Sequence, residues 1–241
     1  MTARLGHRLT VPRTQPELPM DTVLGLCKMK IRTAAETLAG LWGQIRNPMR
    51  VDPTDAAVQV LLSTRTEMHG ARAAFAQLKR RFPKWSALKP SDAAEVLEIL
   101  RPLGFANKRW DNLCSLLAAT DGGILPPGPS KTVEQVLWDL TRIRGIGPKV
   151  ARCVMLYAWH MPVCPADAHG VRFVNRYLGL NSPMPAGLVM EIIDDALNGT
   201  RLHYSFHMNM ITLGRRYCTP NKPDCESCPL KIGCAHSRGT R

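Results

Sequence analysis

From Thr22 to Leu41 the chain reads TVLGLCKMKIRTAAETLAGL, with apolar residues returning every three or four positions. That period predicts a helix with one face turned to a core. The same period recurs down the chain. Asp52-Pro53 pairs a capping residue with proline at the first helical position. The run it opens, VDPTDAAVQVLLSTRTEMHGARAAFAQLKRRFP, predicts two helices broken near Thr64–Met68. Ser91 is placed to cap SDAAEVLEILRPLG, and NKRWDNLCSLLAATDGG stops at a glycine pair. KTVEQVLWDLTRI, PKVARCVMLYAWH, AHGVRFVNRYLGL, PAGLVMEIIDDALNG and LHYSFHMNMITLGRRY complete the series. No segment alternates with the two-residue period of a strand, and no repeat of 20–50 residues is present. The expected fold class is all-α, with around ten helices joined by short loops.

Charge changes the picture more than composition does. The 241 residues are 45% hydrophobic and 21% charged, ordinary for a globular protein, but 32 Lys and Arg against 19 Asp and Glu give a net charge of +13. Such a surface attracts polyanions, nucleic acid first. No apolar run is long enough to span a membrane. The opening MTARLGHRLTVPRTQPELPM lacks the apolar stretch of an export signal and reads as a loose arm over residues 1–20. An intracellular, reducing setting follows, where clustered cysteines are metal or cluster ligands rather than disulfides.

Two segments carry candidate chemistry. In LTRIRGIGPKVARCVMLYA a helix ends, Gly145 and Gly147 make a tight hairpin, and Pro148 restarts a helix. The backbone N–H groups of the new helix start suit a phosphate, a contact that positions DNA without reading its sequence. Near the C-terminus, Cys218, Cys225, Cys228 and Cys234 are spaced C-x6-C-x2-C-x5-C. Four thiolates so arranged can hold a tetrahedral zinc or an iron–sulfur cluster, and spacing alone leaves both open. Lys222 and Lys231 lie between these cysteines. The remaining Cys27, Cys114 and Cys153 fall in helical segments as small apolar residues, and Cys164 stands apart.

The pattern LxxIxGIGPKxA, the block PADAHGVRFVNR and the terminal cysteines together resemble the helix–hairpin–helix glycosylases of the endonuclease III type, from about Asp52 to Cys234. The resemblance implies a six-helix barrel domain over 47–161. A cluster domain would combine 21–46 with 162–241, the cysteines holding a [4Fe–4S] cluster as a structural staple. It implies that Lys149 and Asp167, eighteen residues apart as in that family, are the catalytic pair. The lysine amine would attack C1′ and permit β-elimination, and the carboxylate would cap its helix while stabilising the cationic sugar. Gly145, Gly147, His169 and Arg172 would contact or support DNA. Arg65 and Phe105 would fill the gap left by a flipped base. The partner implied is double-stranded DNA with a damaged base or abasic site, bound by a monomer, and the expected lesions are oxidised pyrimidines.

The chain departs from the family pattern at Arg65, where glutamine is usual, and at Glu67-Met68, which replace a Thr-Asp pair. Arginine there leans toward the mismatch glycosylases of the superfamily, which lack the lysine. Two alternatives therefore stand: a monofunctional glycosylase in which Asp167 activates water, and a docking module without catalysis.

Overall fold

A computed structural model of the chain describes residues 19–47, 51–64, 66–120, 125, 131–180 and 182–239. All regular structure among them is helical, as the hydrophobic period predicts. The helices are α1 (Met20–Trp42), α2 (Pro53–Ser63), α3 (Met68–Arg81), α4 (Ala93–Leu100), α5 (Ala106–Ala118) and α6 (Val133–Thr141). After them come α7 (Pro148–Ala158), α8 (Ala168–Leu178), α9 (Ala186–Leu197), α10 (His203–Arg216) and the short α11 (Ala235–Gly239). Most of the N-terminal arm and the glycine pair after α5 lie outside the described residues.

The caps follow local chemistry. Asp52 Oδ1 accepts from Thr54 N at 2.9 Å and Asp55 N at 3.0 Å, satisfying two first-turn donors of α2. Thr132 and Gln135 form a reciprocal capping box on α6. Ser91 does not cap α4. Pro90–Asp92 form a 3₁₀ turn instead, Asp92 Oδ2 accepts from Lys89 N at 2.8 Å, and α4 starts at Ala93. Pro90, with its fixed φ, suits the first position of that turn.

The chain divides into two compact units, one of residues 48–165 and one of 1–47 with 166–241. In the first, α2 is apolar almost all round and buries Ala56, Ala57, Val58, Val60, Leu61 and Leu62. It packs on α3, α5 and α7, and α7 is buried in turn from Val150 to Leu156. A helix apolar on all faces belongs at a centre, where each fully buried Val, Leu or Met contributes about 1.5–3 kcal/mol. The second helix of the glycine hairpin is thus a core element.

In the second unit α1 packs on α9 and α10, and α8 packs on α10. Phe173 is its aromatic centre, 5.3 Å from Tyr177 and edge-on to Phe206 at 6.3 Å. Arg32 donates to Ala196 O at 2.9 Å and Asn198 O at 2.7 Å, closing the carbonyl end of α9 from α1. α8 approaches α10 so closely at Gly214 that a Cβ there would lie 2.5 Å from the His169 Cβ.

Candidate nucleic-acid interface and cysteine cavity

Within the first unit three exposed turns converge in chemistry. At the hairpin, Ile146 is buried and donates to Ile143 O at 3.0 Å, which pins the turn from inside. Gly145 has φ +92°, and a side chain there would meet Asn112 Cγ at 2.5 Å and Cβ at 2.8 Å. Glycine is required both by the backbone and by the space. Gly147 caps α7 in extended conformation with open space where a Cβ would stand. Pro148 and half-buried Lys149 follow as its first two residues. Their turn leaves N–H groups without intrahelical acceptors at the positive end of the dipole, a ready phosphate seat.

The second and third turns are those after α2 and before α5. Thr64 ends α2 in extended conformation, and Thr66 donates to Leu103 O at 2.9 Å. Arg65 lies outside the described residues. Phe105 is 66% exposed and holds φ +53°, ψ +36°. Left-handed backbone at a bulky residue stores strain, and an exposed ring forfeits the burial that would offset it. Arg109 binds both turns from beneath, and neither it nor Asn112 stands out in the sequence, where a polar residue on a helix reads as solvent-facing.

In the second unit, Asp167 caps α8. Its Oδ1 accepts from His169 N at 2.9 Å and Gly170 N at 3.0 Å. Its Oδ2 has no hydrogen-bond donor among the described residues, so a rigid carboxylate keeps one oxygen available. The His169 ring rests over Gly214, with Nδ1 3.0 Å from Arg172 Nη2. Arg172, expected to contact or support DNA, is held by backbone carbonyls of its own unit. It donates to Cys218 O at 2.8 Å and Gly214 O at 3.0 Å, because those carbonyls at the end of α10 need a donor. Arg176 does the same one turn on, to Thr219 O at 2.7 Å and Pro220 O at 2.6 Å, with Cys218 Sγ at 3.6 Å. Asn175 ties α8 to Met184 through both its amide groups, at 2.7 and 3.1 Å.

The loop these arginines brace brings all four C-terminal cysteines to the wall of one small cavity of about 20 Å³, shared with Tyr177, Tyr217 and Leu230. Burial pushes the Cys228 thiol up to about 11, with the neighbouring cysteines adding to it. Lys30 of α1 donates to Tyr177 O at 3.0 Å beside this cavity. Burial lowers its ammonium, while Cys234 pulls the other way. Among the described residues no three His, Cys, Asp or Glu side chains come close enough to hold a single metal ion. Burial also raises the thiols of Cys27 and Cys114, as expected of inert apolar positions. No helix among the described residues is long and apolar enough to cross a membrane.

An all-helical fold carrying a glycine hairpin defines the helix–hairpin–helix class. The particular branch comes from comparison with known proteins, although no family model matches the chain. The chain is 28% identical over 196 residues to thymine-DNA glycosylase of Aeropyrum pernix, across 77% of this chain and 83% of that protein. It is 24% identical over 203 residues to endonuclease III of Thermotoga maritima, across 80% and 87%. With DNA glycosylase/AP lyase ROS1 of Arabidopsis thaliana it shares 27% over 179 residues, 63% of this chain but only 12% of that longer protein. Its fold superposes on endonuclease III in a non-covalent DNA complex with a TM-score of 0.72, 20% identity, and coverage of 88% and 97%. The chain has the endonuclease III helical fold and is similar in sequence to proteins named as DNA glycosylases.

Proposed function

We propose that this protein is a base excision repair glycosylase with AP lyase activity, acting as a monomer inside the cell on duplex DNA that carries an oxidised pyrimidine or an abasic site. The observation that carries the reading is the hairpin, which sets Lys149 as the second residue of a rigid core helix whose free N–H groups suit a phosphate. In the proposed reaction Lys149 Nζ, as the free amine, attacks C1′ of the extruded nucleotide. The C1′–N bond breaks and the base departs with the electron pair, taking a proton. Loss of the amine proton and opening of the sugar give a Schiff base. Removal of a 2′ proton then expels the 3′ phosphate, and water releases the lysine. Asp167, with Oδ1 occupied by backbone donors and Oδ2 available, would balance the positive charge that develops on the sugar. Gly145 and Gly147 would hold the backbone, Phe105 and Arg65 would occupy the emptied stack, and His169 would shape the edge of the site.

We further propose that Cys218, Cys225, Cys228 and Cys234 hold a [4Fe–4S] cluster. Four thiolates lining one cavity can hold such a cluster, and the resemblance to endonuclease III favours it over a lone zinc. Bound, it would supply a crosslink that fixes the loop from Tyr217 to Cys234. Iron and sulfide near four of each per chain, with broad visible absorption, would support this, and stoichiometric zinc would refute it.

A monofunctional reading, with Asp167 activating water, is favoured by the Aeropyrum thymine-DNA glycosylase among the relatives. Borohydride trapping separates the two. On thymine-glycol and abasic duplexes we expect a covalent adduct that disappears in Lys149→Ala. Base release with no adduct selects the monofunctional enzyme. No release from any lesion leaves a docking module.

A further inference from the structure

Arg109 lies near the start of α5 and is 6% exposed. Its Nη1 donates to Leu61 O and Leu62 O, both at 3.0 Å. Its Nη2 donates to Thr64 O at 2.8 Å and Thr66 Oγ1 at 2.6 Å, with Leu103 O at 3.3 Å, and Nε donates to Gly104 O at 2.8 Å. Burial lowers this guanidinium, and no carboxylate counters the effect. An unpaired buried cation is costly, and here only the protein's own oxygens compensate it, half of them at the negative end of α2. Apolar residues could close this part of the core at lower cost. The guanidinium does what they cannot: its five rigid donors span two separate turns at once. Thr66 completes the link through its own bond to Leu103 O.

We propose that Arg109 is a positioning residue that locks the turn after α2 to the 103–105 loop, so that exposed Phe105 meets DNA as a fixed wedge in its strained backbone conformation. This rests on the glycosylase reading, since it is the repaired duplex that would need the wedge. Arg109 acts only through the two turns. Lysine keeps the charge but offers one nitrogen, which cannot reach acceptors on both sides.

The test uses the full-length protein and the variants Arg109→Lys, Thr66→Ala and Phe105→Ala, alone and combined, on a thymine-glycol duplex. Circular dichroism melting sets an assay temperature at which every variant is folded. Arg109→Lys is expected to lower kcat/KM by about 10²-fold, the scale of a small misplacement of a positioned group. If Arg109 works through Phe105, adding Arg109→Lys to Phe105→Ala costs less than about twofold more. Multiplying losses would make Arg109 an ordinary core residue and overturn the proposal. Hydrogen exchange decides it independently of catalysis. Arg109→Lys and the milder Thr66→Ala should speed exchange at Thr66 and at Gly104–Ala106 while leaving α10 unchanged. Unchanged exchange at those amides refutes the brace. If the wild type turns over no lesion, the functional reading fails on its own, and exchange still decides whether Arg109 locks the turns.

Discussion

Replacing Gly145 with alanine measures how the hairpin is held. Two separate costs are legible at this position. A side chain at φ +92° enters a region that L-residues avoid, at about 1–2 kcal/mol. The added Cβ would also stand 2.5 Å from Asn112 Cγ and 2.8 Å from its Cβ, so the α5 backbone must yield and not merely a flexible tip. Overpacking of that kind costs about 1–3 kcal/mol. The sum is roughly 3 kcal/mol, or about 6–12 °C in Tm for a chain of this size. Urea unfolding with linear extrapolation would measure it. The decisive comparison is the same substitution in an Asn112→Gly background, where the steric part vanishes and the backbone part remains. There Gly145→Ala should cost only about 1–2 kcal/mol, giving a coupling of about 1–3 kcal/mol between the two sites. Equal costs in both backgrounds would refute the packing argument. A cost below about 0.5 kcal/mol in the wild-type background would refute the backbone argument as well.

Three further outcomes follow from the second unit. Asp167→Asn should keep the cap of α8 and its stability while losing base release, whereas Asp167→Ala should lose both, with about 1 kcal/mol of stability; denaturant melts beside glycosylase assays separate the roles. Arg176→Met removes the donor to Thr219 O and Pro220 O, and we expect the loop to loosen by about 1–3 kcal/mol and iron to be lost faster to a chelator, read as iron per chain over time. His203 is buried, its Nε2 has no hydrogen-bond partner among the described residues, and burial lowers it from 6.5 to about 4. Its folded form resists the proton that the unfolded chain accepts, so stability is full above pH 6.5 and falls as pH drops toward 4. The loss approaches roughly 3 kcal/mol. His203→Gln should flatten that slope in melts between pH 7 and 4.

The helices were legible because their period is strong: α2 announces itself with Asp52-Pro53 and a run of apolar residues, and α7 with Pro148. The 3₁₀ turns at Trp85–Ala87, Pro90–Asp92 and Arg101–Leu103 were not, since three residues hold no period. Phe105 was legible as an aromatic at a turn, but its left-handed backbone depends on what pins Gly104, and that pin is Arg109. Arg109 itself was invisible, because its acceptors at Leu61 and Leu62 lie 48 and 47 residues away in sequence. The backbone bonds of Arg172 and Arg176 were invisible for a related reason. Their partners are carbonyls, which every residue carries, so no pattern of side chains points to them.

The discontinuity of the second unit orders events at the ribosome. Residues 48–165 emerge as one uninterrupted stretch, and their contacts can form while synthesis continues. Helix α1, made first, has to wait: Lys30 finds Tyr177 only 147 residues later, and Arg32 finds Ala196 only after 164. Until then its unburied apolar side, with Val23, Ile31, Ala34 and Leu38, is a natural client for a nascent-chain chaperone.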